Sequence, residues 1–356
     1  MESVKVVIVG GGAAGLGAAK TLGPDVNYLL IEAQDYIGGR IRTVDAAPDA
    51  VVDLGAQYIH GKTNNRVFEI CKQLDCIMTL SSVNNEETIA IRSDRTRLNP
   101  EIVDKVQTVW EEFAKEAQSK FGDITIPTDN SFYDYLVENF KPLFLSALPS
   151  CEHLLDEFID YFDKTESIEN GCSSLVKLSL AEYGSYEYLE GLAEYELKNG
   201  GYRPFISYLK SFIPDDSRIR LNSEVVRVKY LHDTHQLQVD TRNHNIKSEH
   251  EQETSTIVCD HIVWTSSLDD SYCSLSKIIF RSEWHKNRFI RGSYSYYSIK
   301  SSGKAGQQLR TAYEPDGIPR ILFAGEATHE NGYSTVHGAF ESGIREGNRL
   351  LSILNE

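Results

Sequence analysis

The stretch Val4 to Arg40 constrains the fold of this chain more than any other. Val4-Lys5-Val6-Val7-Ile8-Val9 is a short apolar run of strand type, and Gly10-Gly11-Gly12-Ala13-Ala14-Gly15 follows at once. Small residues continue as a helix through Leu22, and a second apolar strand, Asn27 to Ile31, ends in Glu32. In the order strand, glycine turn, helix, strand, acid, each glycine has a task. Gly10 permits the sharp turn, Gly12 lets a pyrophosphate approach the backbone, and Gly15 lets helix and strand pack closely. The helix N-terminus offers N–H groups and a positive dipole end to phosphates. Glu32 lies 17 positions after Gly15, near the spacing of about 20 expected of an acid that binds a ribose. A lone glycine turn would say little. Set in this order it predicts a dinucleotide site, without choosing between NAD and FAD.

The next residues choose. Tyr36-Ile37-Gly38-Gly39-Arg40-Ile41-Arg42 places a glycine pair and an arginine just past the ribose acid. Such a turn can fold back and set a guanidinium on the pyrophosphate. The pairing of the two motifs resembles the flavin amine oxidase family, which implies FAD as cofactor. By that match Gly10, Gly12, Ala14, Gly15, Glu32, Gly39 and Arg40 belong to its binding site. An NAD-dependent dehydrogenase would leave Gly38-Gly39-Arg40 without a task.

With 356 residues the chain can bury a large core and is expected to form two lobes. A 41% hydrophobic and 25% charged composition is that of a globular protein. The net charge of −16 repels nucleic acid and suits a small cationic amine, although it also serves plain solubility. Six cysteines form no CxxC pair and no metal-ligand spacing, so they read as reduced thiols of an intracellular protein. The first strand begins at once, leaving no room for a signal peptide, and no apolar run reaches the roughly 18 residues of a membrane span. The last residues are not a peroxisomal tripeptide, so a cytoplasmic location is expected. Oligomeric state is not legible.

Further blocks carry the resemblance. Val51 to Gly61 includes Gly55-Ala56-Gln57-Tyr58-Ile59-His60-Gly61. The family has a similar stretch beneath the flavin, and the histidine version is typical of spermine and acetylpolyamine oxidases. The match implies that Gln57 and Tyr58 line the flavin and that His60 faces the substrate. Residues 62–199 are mostly helical in pattern, with apolar positions at helical spacing around Val67 to Leu74 and Val103 to Phe113, and a helix start at Asp129-Asn130-Ser131. Gly200-Gly201-Tyr202 precedes a helix expected over Phe205 to Phe212, and alternating strands follow through Thr241. There the family implies that Val225 touches the adenine through its backbone. A polar hairpin tip is expected over 243–256, and Ile257 to Thr265 reads as a buried strand.

The last segment is as specific as the first. An apolar strand over Ile318 to Phe323 leads into Ala324-Gly325-Glu326-Ala327-Thr328-His329, then Gly332-Tyr333-Ser334-Thr335-Val336-His337-Gly338-Ala339 and a helix. By resemblance Glu326 binds the ribityl chain, Thr335 and Val336 present N–H groups to the flavin pyrimidine, and Tyr333 forms one wall of an amine-binding aromatic cage. Between the ends the chain departs from the family. Only a short remnant, Asp269 to Phe289, precedes Arg291-Gly292-Ser293-Tyr294-Ser295-Tyr296, where the match resumes. Lys277, in Lys277-Ile278-Ile279-Phe280, is the candidate for the family's flavin-proximal lysine.

The expected class is therefore α/β: a discontinuous Rossmann-like FAD-binding domain plus a truncated α+β substrate domain. The expected boundaries are 1–80, 200–268 and 310–356 for the FAD-binding domain, 81–199 for a mainly helical substrate domain and 269–309 for its remnant. Two functions follow. One is FAD-dependent oxidation of a polyamine by O2, with His60, Lys277 and Tyr333 at the reacting end. The other is a degenerate flavin-fold homologue with little or no oxidase activity, acting as a binding or structural protein.

Overall fold

The computed structural model describes residues 2–48, 50–78, 89–198, 200–243, 254–266, 283–301 and 303–355. Residues up to 78 form β1 (Glu2–Val9), α1 (Ala13–Leu22), β2 (Tyr28–Ile31), β3 (Thr43–Ala47), β4 (Ala50–Asp53), β5 (Tyr58–Ile59) and α2 (Arg66–Gln73). Then come α3 (Pro100–Gln118), α4 (Phe132–Ala147) and α5 (Leu155–Glu169). The chain continues with β6 (Tyr195–Glu196), α6 (Arg203–Lys210), β7 (Ile219–Arg220), β8 (Ser223–Leu231), β9 (Gln236–Asn243) and β10 (Thr254–Trp264). It ends with α7 (Ala305–Leu309), β11 (Ile321–Phe323) and α8 (Val336–Leu354).

Two compact units result. The first comprises 1–78, 188–295 and 306–356; the second comprises 79–187 and 296–305. Residues 188–199 and 283–295, which the sequence reading gave to the substrate domain, group with the first unit.

The first unit is built on a sheet of order β7-β2-β1-β10-β9-β8, with β11 also beside β10. β7, β2, β1, β10 and β11 run parallel; β9 pairs antiparallel with both β10 and β8, so it alone among these strands is reversed. Its central strands are apolar on both faces because both faces are covered. Val6, Ile8, Leu30, Val263 and Leu322 join one core, and Val7, Val9, Leu29, Ile31 and Ile262 join the other.

On the first of these faces α1 lies against α8. A Cβ at Gly343 would collide with the Ala14 carbonyl, and one at Gly347 would meet Thr21. The pairing 14 with 343 and 21 with 347 makes the helices parallel, so both N-termini face the same way.

The second unit packs α3, α4 and α5 around aromatic rings. Trp110 stacks on Phe162 with centroids 3.8 Å apart, and Phe113, Phe140 and Phe144 fill the space around them. Asn99 and Ser131 cap α3 and α4 through their side-chain oxygens. Among the described residues of this unit, strand pairing is limited to isolated bridges.

The close approach of α1 and α8 predicts an ordering of two substitutions. Alanine in place of a helical glycine normally gains about 1 kcal/mol, but overpacking costs about 1–3 kcal/mol. Gly343→Ala meets backbone that cannot turn aside, so the upper end of that cost applies and stability should fall by up to about 2 kcal/mol. Gly347→Ala meets a side chain and should cost less. Urea unfolding midpoints would check this order.

Candidate active site

Gly10 leaves β1 with φ of 103°, a conformation that suits glycine. Thr265 at the end of β10 braces the turn, its Oγ1 donating to the Val9 carbonyl (2.8 Å). Gly15 is needed for a different reason: a Cβ there would collide with the Gly10 carbonyl. At Gly12, by contrast, a Cβ would meet nothing nearer than the Gly38 carbonyl at 3.9 Å. Gly12 is the N-cap of α1 and no side chain caps that end, so space and N–H donors coincide in front of Ala13 and Ala14. Gly38 and Gly39, both at positive φ, fold the next turn against this one, with the Gly38 N–H donating to the Gly11 carbonyl (2.8 Å).

Glu32 closes the far side. It is buried, its Oε2 accepting from the Gly11 N–H (2.6 Å) and its Oε1 from the Gln34 N–H (2.8 Å). Burial pushes its carboxyl above the ordinary range, and those backbone donors pull the other way. Each oxygen keeps acceptor capacity for a hydroxyl. Gln57 is exposed, with Nε2 donating to the Asp53 carbonyl (3.3 Å). Val225 lies on β8 beside a bulge, partly buried against the core.

The two chain ends meet at Arg40 and Glu326. Arg40 Nη1 donates to Glu326 Oε1 (3.0 Å) and to the Ser293 carbonyl (2.9 Å). Glu326 Oε2 accepts from Ser295 Oγ (2.6 Å) and from the Ser334 N–H (2.7 Å). A guanidinium has five N–H donors, so Arg40 has others to offer an anion. Thr335 caps α8: its Oγ1 accepts from the Gly338 N–H (3.0 Å) and donates to the Gly332 carbonyl (2.6 Å). Val336 opens that helix.

These motifs decide the family together with the comparisons. The model of flavin-containing amine oxidoreductases matches residues 13–283 and 275–351. The chain belongs to this family. FAD is its cofactor, and the open space at Gly12, the uncapped α1 and the clamped Glu32 fit it.

One curated relative is the human peroxisomal N(1)-acetyl-spermine/spermidine oxidase, 49% identical over 80 residues that make up 22% of this chain and 16% of the relative. Another is polyamine oxidase 1 of Oryza sativa subsp. japonica, 45% identical over 82 residues, 20% of this chain and 16% of the relative. The chain thus matches about a sixth of the length of these relatives. A putrescine oxidase structure with bound putrescine is similar in fold, with TM-score 0.62 and 14% identity over 98% of this chain and 99% of that one.

In this amine oxidoreductase His60 follows β5 directly. Its Nδ1 lies 2.9 Å from the Ala193 carbonyl. A carbonyl only accepts, so Nδ1 carries a proton, and in that tautomer Nε2 is the ring's acceptor. Asn65 fixes the turn, its Nδ2 donating to the His60 and Gly61 carbonyls (2.9 and 3.1 Å) while its Oδ1 caps α2. Tyr202 holds the strand from behind, its hydroxyl donating to the Tyr58 carbonyl (2.8 Å). Tyr333 is partly buried between Gly332 and Ser334. Lys277 lies outside the described residues.

The sequence reading missed His329, His337 and Glu341. His329 Nδ1 accepts from the Gly332 N–H (2.8 Å), which leaves Nε2–H facing Glu341 Oε2 at 3.4 Å. His337 is buried on the first turn of α8. Burial drives its pKa down to about 4, with His329 and His60 adding to the fall and Glu341 opposing it. The signal was present as His329 and His337 in matching blocks, but each alone reads as an ordinary core histidine. Trp284 was also missed; its ring stands 3.1 Å from the position a Cβ would take at Gly55.

His337 makes stability depend on pH with a definite sign. Its folded pKa, about 4, lies below the ordinary histidine value of 6.5, so between these values the unfolded chain binds the extra proton. The contribution is full above pH 6.5 and is lost as pH falls toward 4, on the order of 3 kcal/mol in all. Unfolding free energies of His337→Asn should fall less steeply than wild type across that window.

Proposed function

We propose that this flavin amine oxidoreductase oxidises a polyamine, namely spermine, spermidine or an acetylated form, to an imine that water hydrolyses to an aldehyde. O2 would be the second substrate and H2O2 the second product. The observation that carries the reading is the orientation of His60, whose Nδ1–H is engaged by Ala193 and whose Nε2 is left as an acceptor for an amine N–H. The names of the curated relatives and the net charge of −16, which draws polycations, support the substrate class.

When bound, FAD supplies the acceptor for a hydride equivalent from the amine α-carbon and passes the electrons to O2. The protein supplies orientation and electrostatics. Gly12, Gly15 and the N-terminus of α1 would seat the pyrophosphate, with Arg40 on it. Glu32 would take the ribose, Val225 the adenine through its backbone, and Glu326 the ribityl hydroxyls. Gln57 and Tyr58 would lie along the ring. The N-terminus of α8, at Thr335 and Val336, would face the pyrimidine and favour negative charge there. Tyr333 would hold the amine by its ring face, and Lys277 would hold a water near the reacting edge.

The contraction around Asp269 to Phe289 motivates the second reading, a degenerate homologue without oxidase activity. One experiment separates the two. Purified FAD-loaded protein should bleach anaerobically with spermine or acetylspermine and form peroxide on readmission of air. An unchanged flavin spectrum across a panel of amines would defeat the oxidase and favour the homologue.

Lys277→Met tests the role given to that lysine. A lysine that holds the reactive water should, when removed, slow either reduction or reoxidation by about a hundredfold. Stopped-flow rates equal to wild type in both half-reactions would remove Lys277 from the mechanism.

A further inference from the structure

The C-terminus of α2 brings two thiols together by a defined backbone motif. The Cys76 N–H donates to the Cys71 carbonyl (3.0 Å) and the Asp75 N–H to the Lys72 carbonyl (3.1 Å). Asp75 has φ of 53°. These are the two bonds and the left-handed residue of a Schellman turn, which places the side chain three positions before the cap against the one two positions after it. In most such turns that contact is between two apolar side chains. Here it is between Cys71 and Cys76. The Cys76 thiol donates to the Cys71 carbonyl oxygen (Sγ–O 3.3 Å), and both side chains are buried. The neighbouring Cys71 thiol lowers the Cys76 thiol, with the Lys198 ammonium a minor contributor, and the Cys76 thiol together with burial raises Cys71.

We propose that Cys71 and Cys76 are a redox modification site that a peroxide closes to a disulfide within this one turn. Cys76 is the attacking sulfur, because it is 6% exposed and Cys71 is not exposed at all. Its thiolate attacks one peroxide oxygen and breaks the O–O bond, giving a sulfenic acid at Cys76 and hydroxide, which takes a proton to leave as water. The Cys71 sulfur then attacks the sulfenic sulfur. The S–O bond breaks, the hydroxyl leaves as water with the Cys71 proton, and the S–S bond forms. Two thiols lose two electrons and one peroxide gains them.

The location gives closure something to act on. Past the turn, Cys76 to Met78 pair with residues 196–198: the Lys198 N–H donates to the Cys76 carbonyl (2.8 Å) and the Met78 N–H to the Glu196 carbonyl (2.8 Å). Glu196 and Tyr195 pair in turn with Tyr58 and Ile59, the strand that enters His60. The disulfide would tie the end of α2 to the ribbon that carries His60.

The test uses the native full-length protein and added H2O2, so its outcome does not depend on the oxidase reading. After peroxide treatment and alkylation in denaturant, the peptide spanning both residues should have lost two hydrogens, carry no alkyl group and regain both thiols on reduction with dithiothreitol. In Cys71→Ser, whose fold is checked by circular dichroism, dimedone should label Cys76; in Cys76→Ser it should leave Cys71 unlabelled. Recovery of both residues fully alkylated from peroxide-treated wild type would overturn the proposal. So would a disulfide joining either of them to another cysteine of the chain.

Discussion

The structure of the first unit depends on how Glu326 is satisfied. A carboxylate this far from water costs several kcal/mol unless its oxygens are met by donors. Glu326 is met from three directions: the Arg40 guanidinium, the Ser295 hydroxyl and the Ser334 N–H. These donors come from the turn after the first βαβ segment, from the block following the contracted region and from the approach to α8. None of the three segments can move without leaving an unmatched charge or oxygen behind. The interaction therefore fixes the relative position of two motifs that stand 286 residues apart in the chain.

Behind that contact the two helices fit because side chains are absent. Gly343 sits on the Ala14 carbonyl and Gly17 on the backbone of Phe340, so α1 and α8 approach more closely than helices with side chains at the contact. Small residues at one face of α1 are thus explained twice. Gly15 serves the strand it packs on, and Gly17 serves the helix from the other end of the chain. A glycine-rich helix has poor intrinsic stability, and its stability here comes from burial, with Leu16, Ala18 and Ala19 fully enclosed.

Much of this was legible because it is written in contiguous spacing. The turn at Gly10 to Gly15, the acid at Glu32 and the blocks around Arg40 and Glu326 each carry their geometry locally. Element edges were less legible for equally local reasons. α6 begins at Arg203 rather than Phe205 because Pro204 fits a first helical turn. The last strand begins at Ile321 rather than Ile318: Pro319 has no N–H, and the Arg320 N–H is spent on the Tyr313 carbonyl. Of the histidine cluster only His60 was legible as a site residue; its association with His329 and His337 was not. His60, His329 and His337 come together only through the fold, and a single histidine carries no sign of its neighbours. The thiol pair at Cys71 and Cys76 was hidden in the same way, since five positions apart is no recognised cysteine spacing.

The parallel arrangement of α1 and α8 has an electrostatic consequence. Side by side, their dipoles repel, and both positive ends face the region around Gly12 and Thr335. That cost is offset only by negative charge placed before them, as a pyrophosphate at one and an electron-rich ring at the other would do. The same field disfavours a protonated amine, and it therefore favours loss of the proton as an amine approaches. His337 does not add to that field, because burial keeps it neutral down to about pH 4. His60, with Nδ1–H held by Ala193, would offer the acceptor that a neutral amine N–H requires. Under the amine oxidase reading, the helices make the neutral amine available and the histidine orients it. On the same reading, attraction of a cationic amine would be left to the acidic surface.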